Sequence, residues 1–178
     1  VHLGRQQAGF SLIEVLVSLV VVAVGMLGLT GLLVSGVAAT KTSQLRSAAS
    51  LQVTSLASAM STNREFWGDP DLAEISFTAE GTVVKTQTGI NLGLSPDCLA
   101  ATCSAHNLAV YDIKNWLATL NNQLPNAKSQ VQCSLHLDAK NCYATVKWNE
   151  NYYAGNKKGT SNSAATGGER QYSQFITP

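Results

Sequence analysis

From Val15 to Thr40 the chain carries no charged residue. Leu, Val, Ala, Met and Gly fill most of this run, with a few Ser and Thr. An α-helix rises about 1.5 Å per residue, so about 20 residues cross a hydrocarbon core of roughly 30 Å. The run therefore predicts a helix able to span a bilayer. One residue does not suit a plain anchor: Glu14 sits one turn inside the apolar stretch that begins at Phe10. A carboxylate at the centre of an inserted helix costs on the order of 2.5–3.5 kcal/mol, and less near the interface. Held at headgroup level, Glu14 is merely tolerated. Intramembrane acids as a class mark function, and that reading is favoured here.

The flanks sharpen the case. Val1–Gly9 is short, holds His2 and Arg5, and has no acid. A secretory signal places its small-residue cleavage site after the apolar region. Here the small residue, Gly9, precedes it, so a cut at Gly9 leaves the helix on the mature chain with Phe10 at its head. Charge gives little orientation, because Lys41 and Arg46 follow the span.

Composition excludes several functions. The formal net charge is +1, which points to no nucleic acid partner. Charged residues make up only 13%, low for a soluble chain and expected when one helix lies in lipid. There is no Gly-rich phosphate loop and no implied cofactor. Ser134, His136 and Asp138 are the residue types of a hydrolase triad, but they read as the polar face of one alternating strand. The chain reads as non-enzymatic. Four cysteines form two local pairs, Cys98 with Cys103 and Cys133 with Cys142. An even count behind an export segment suggests two disulfides, and sequential pairing is one of three connectivities. The spacings do not match a metal site, and His106 and His136 are isolated, so no metal is expected.

Beyond Lys41 the apolar positions narrow to a stripe: Leu45, Ala49, Val53, Leu56 and Met60 recur at steps of three and four. No proline precedes Pro70, so one helix is predicted from Ser11 to about Asn63, with Gly68-Asp69-Pro70 as the stop. The glycines at 25, 28, 31 and 36 suit either close helix packing or local melting. Phe66–Pro96 is weakly patterned, with a short hairpin suggested around Glu80-Gly81. A second helix is predicted from Asn107, with Ile113, Trp116, Leu117, Leu120 and Leu124 on one face and Pro125 as its end. Trp116 and Tyr111 are expected in the core. Val131–Leu137 and Tyr143–Trp148 alternate as strands around a turn at Asp138-Ala139-Lys140-Asn141, which a Cys133–Cys142 bridge would tie. Residues 156–168 read as a flexible loop, and Tyr172–Thr177 as a last strand. These elements predict an antiparallel sheet of three or four strands packed on the long helix.

The run Gly9-Phe10-Ser11-Leu12-Ile13-Glu14-Val15-Leu16 closely resembles the class III leader junction of type IV prepilins and pseudopilins. In that family a prepilin peptidase cuts after the Gly, the new Phe is N-methylated, and the fifth mature residue is Glu. The resemblance thus implies cleavage between Gly9 and Phe10, methylation of Phe10, and a role for Glu14 in assembly and axial register. Leu108-Ala109-Val110-Tyr111-Asp112-Ile113-Lys114-Asn115-Trp116-Leu117, followed by Leu124-Pro125, resembles a signature of PilV-type minor pilins. In that group a Cys–Cys loop and this helix precede a Cys-bearing sheet. The implied fold is α+β and pilin-like. Its expected parts are a leader at 1–9, a membrane or fibre-core helix half at 10–37, an amphipathic half at 38–66 and a periplasmic head at 67–178. The implied role is a minor pilin in priming, assembly and tip composition of a type IV pilus. It would be held in the inner membrane and then carried onto the cell surface. Implied partners are other minor pilins, the major pilin, the peptidase and the inner-membrane assembly platform. A type II secretion pseudopilin, or a membrane-anchored periplasmic enzyme or binding protein, are the alternatives.

Overall fold

The structure is a computed structural model that describes residues 9, 11–136, 139–150 and 168–178. It divides into two compact units, Val1–Thr40 and Lys41–Pro178. Helix α1 (Leu12–Thr62) contributes to both. Its described side chains in the first unit are exposed and mostly apolar, and the helix is long and apolar enough to cross a membrane. Three of its hydroxyls are satisfied internally: Ser18 Oγ donates to Val15 O at 2.8 Å, Thr30 Oγ1 to Met26 O at 2.9 Å and Thr40 Oγ1 to Gly36 O at 3.0 Å. Such back-bonding lets a Ser or Thr face an apolar medium without an unpaired donor.

In the second unit the predicted stripe is the buried face of α1: Leu45, Ala49, Val53, Leu56 and Met60 are all buried. A short helix α2 (Arg64–Trp67) follows, buries Phe66 and Trp67, and ends at Gly68. Helix α3 (Ala105–Gln123) begins two residues before the predicted start. Ser104 is its N-cap, its side chain accepting from Asn107 N at 3.3 Å. Ile113, Trp116, Leu117 and Leu120 face the core as their spacing required.

Among the described residues the sheet has five strands rather than three or four, in the order β2-β1-β3-β4-β5, all antiparallel. They are β1 (Glu74–Glu80), β2 (Val83–Thr88), β3 (Lys128–His136), β4 (Ala139–Glu150) and β5 (Gly168–Ile176). The β1–β2 hairpin was foreseen. Its addition to β3 was not, because that pairing joins segments separated by all of α3. The turn predicted at residues 138–141 is also corrected: Ala139, Lys140 and Asn141 belong to β4, and His136 pairs with Ala139. Asp138 lies outside the described residues. So does the loop predicted at 156–168, apart from Gly168, which opens β5. Cys98 is bonded to Cys103, and Cys133 to Cys142, two directly opposed residues of β3 and β4.

Ile75, Phe77, Val131, Ala144, Val146, Trp148 and Ile176 make the inner face of the sheet and join the stripe of α1 and the face of α3 in one core. A carboxylate sits at its margin. Glu150 is 2% exposed and meets Arg46 Nε of α1 at 3.4 Å, Arg170 Nε of β5 at 3.4 Å and Trp148 Nε1 at 3.3 Å. Burial of a charge is tolerable with such partners. Lys140 is likewise buried, and its amine donates to Asp69 O. Burial lowers its pKa, and the Asp69 carboxylate partly offsets that.

Two turns depend on glycine. Gly81 (φ 58°) closes the β1–β2 hairpin. Gly89 (φ 70°), just after β2, lies against the start of β1, where an added Cβ would fall 2.2 Å from Glu74 O. That contact is with backbone, so no rotamer change relieves it. Gly89→Ala is therefore expected to cost the head about 2–4 kcal/mol. Urea unfolding of the full chain in detergent checks this, and a loss below about 1 kcal/mol would contradict the collision.

Candidate functional site

The junction is built at the first turn of α1. Gly9 is exposed, and Phe10 lies outside the described residues. Ser11 O accepts from Glu14 N at 3.0 Å and from Val15 N at 3.3 Å, so the helix is nucleated one residue beyond the expected cut. Glu14 occupies the third helical position. Ser11-Leu12-Ile13-Glu14 has the Ser-x-x-Glu spacing of a capping box, a signal in the sequence that marks this helix start independently of any leader. An acid in the first turn also complements the positive end of the helix dipole. These local effects explain why a Glu is compatible with the position. They leave its charge unneutralised: among the described residues Glu14 makes no ion pair, and its neighbours Ile13, Val17 and Ser18 are exposed. The residues after it, through Ala39, add no second charge. The arrangement places one carboxylate on an otherwise uncharged helix segment, where a cation from outside the helix can pair with it.

The other sequence candidates separate. The two disulfides are in different parts of the head, one in the loop before α3 and one buried across β3 and β4. Ser134 stands on the exposed side of β3; the His136 side chain and Asp138 lie outside the described residues. Asp112 on α3 is half-buried, and desolvation raises its pKa. Among the described residues no three His, Cys, Asp or Glu side chains gather as metal ligands. Tyr111 is half-buried, and Trp116 is in the core with its Nε1 donating to Gln52 O at 2.8 Å. Glu150 was missed as a structural residue, although the strand alternation puts it in phase with Val146 and Trp148.

Residues 4–30 match the family described as Prokaryotic N-terminal methylation motif. The chain has no match among curated proteins or solved structures. The matched segment takes in the Gly9–Phe10 junction, Glu14 and the first turns of α1. That motif, the apolar helix that carries it and the α+β head with two disulfides support a pilin-like protein, a type IV pilin or pseudopilin in the general sense.

Proposed function

We propose that this chain is a minor pilin of a type IV pilus, of the PilV type, and that its activity is assembly rather than catalysis. The observation that carries the proposal is the methylation motif at residues 4–30, with Glu14 in the first turn of an exposed apolar helix. Residues 1–9 are the leader removed by a prepilin peptidase, and Phe10 becomes the methylated N-terminus. Residues 10–37 hold the subunit in the inner membrane. The amphipathic half at 38–66 carries the periplasmic head at 67–178. An assembly platform then moves the subunit into a fibre, where it joins other minor pilins and the major pilin. Glu14 is the assembly and register residue. The PilV assignment rests on the Tyr111-Asp112…Trp116 helix, the Leu124-Pro125 ending and the Cys98–Cys103 loop before it.

Intact-mass analysis of the membrane-extracted protein tests the first step. The expected species lacks the first nine residues and carries one added methyl group. A retained leader, or a cut beyond residue 30, sinks the pilin reading. Co-purification of other pilins with the chain tests the second step, and their absence from sheared fibres would count against the pilus.

A further inference from the structure

The sheet has one face in the core and one face outward, and the outward face is sorted in rows across the strands. At one end Phe175 of β5 stands directly opposite Tyr143 of β4, 60% and 51% exposed, with Gln132 of β3 beside Tyr143. Two residues along comes a neutral hydroxyl and amide row: Ser173, Thr145, Gln130, Thr78 and Thr86. Thr145 and Ser173 hydroxyls are 3.0 Å apart, and those of Thr78 and Thr86 2.6 Å. The third row is Gln171, Lys147, Lys128, Glu80 and Val83. Lys128 and Lys147 lie 3.3 and 3.7 Å from Glu169 of the next row, and Glu80 lies 3.2 Å from Lys85, at the β1–β2 irregularity. An open groove of about 300 Å³ runs over the second and third rows. Successive rows are ~7 Å apart along a strand, so the three together span ~14 Å.

We propose that this face binds an acidic oligosaccharide. Exposed aromatic rings offer flat apolar surfaces with a polar tip on Tyr, which suit the C–H faces of a pyranose ring. The hydroxyl and amide row offers both donors and acceptors, which a polyhydroxylated ligand needs and an aliphatic one does not. Three lysines against two glutamates leave the charged end positive. All these pairs are exposed, and exposed pairs are worth little, so a ligand carboxylate exchanges into them at small cost. Apart from Val83 the rows contain no aliphatic side chain, which disfavours a protein partner that needs an apolar centre.

The test uses the full chain in a zwitterionic detergent without a sugar headgroup. Trigalacturonate, maltotriose and trithymidylate are titrated, with binding read by saturation-transfer NMR. Trigalacturonate is expected to bind saturably, and maltotriose several-fold more weakly. Tyr143→Ala with Phe175→Ala should weaken trigalacturonate at least tenfold. Lys128→Gln with Lys147→Gln should abolish the preference for it over maltotriose. Closed disulfides and an unchanged far-ultraviolet spectrum certify the fold of each variant. Should the aromatic pair prove necessary for folding, Phe175→Ser alone, on the edge strand, carries the same expectation in weaker form. No saturable binding overturns the proposal. So does tighter binding of trithymidylate, or full binding by a folded variant lacking both aromatic rings.

Discussion

Trp116→Ala is expected to destabilise the head by about 3–5 kcal/mol, the usual cost of truncating a buried Trp. Three elements meet at this side chain. It projects from α3 and is 6% exposed. Its ring meets Phe77 of β1 edge-on, with centroids 6.5 Å apart and planes at 80°. Its Nε1 donates to Gln52 O of α1. A loss of that size is a large share of a typical domain's 5–15 kcal/mol. Trp116→Phe separates the contributions. It keeps a ring against Phe77, gives up the N–H, and should cost about 1 kcal/mol for the bond beyond the smaller volume. Urea unfolding of both variants, followed by circular dichroism of the full chain in detergent, reads the difference. If the alanine variant lost less than about 1 kcal/mol, the three elements would not be joined there.

Glu14→Gln should leave the head as stable as before and reduce incorporation into pili at least tenfold, equivalent to about 1.4 kcal/mol of lost association. This follows from the proposed register role. A carboxylate in lipid must find a partner or become neutral. After cleavage the Phe10 amine is positive near neutral pH and lies four residues away in sequence, ~6 Å along a helix axis. The same amine on a neighbouring subunit meets Glu14 when two helices are staggered, and attraction in a low-dielectric core then fixes their axial offset. Gln keeps the size and removes the charge, so membrane insertion should persist or improve. Membrane-fraction abundance and recovery in sheared pili, measured in the same cells, decide the matter. Wild-type recovery of Glu14→Gln would return Glu14 to a helix-start residue of the Ser11–Glu14 type.

Local patterning in the chain was enough to define α1, α3, the β1–β2 hairpin and the phase of the strands β3 and β4. Each rests on neighbours within a few positions: the three-and-four spacing from Leu45 to Met60, the alternation through Val131 and Cys133, and Pro125 after the second helix. The early acid of α1, Glu14 in its first turn, was legible for the same reason, since a helix that begins apolar and carries one early acid is a one-dimensional pattern. Even Ser104, missed as a cap, was a local signal three residues before Asn107.

Tertiary structure alone decided what depends on distant pairing. The hairpin β1–β2 joins the sheet through β3, placing Ile75 beside Cys133 and completing five strands. Strand patterns state which face is apolar but not which edge a strand joins, because every backbone offers the same donors and acceptors. Glu150 became a buried residue only when Arg46, 104 positions earlier, and Arg170 were brought to it. The rows of the outward face are equally non-local. Phe175, Tyr143 and Gln132 come from three strands, and register places them in line. Chain-local sterics and hydrophobic period fix elements, whereas the cost of burying polar groups selects among the ways those elements can meet.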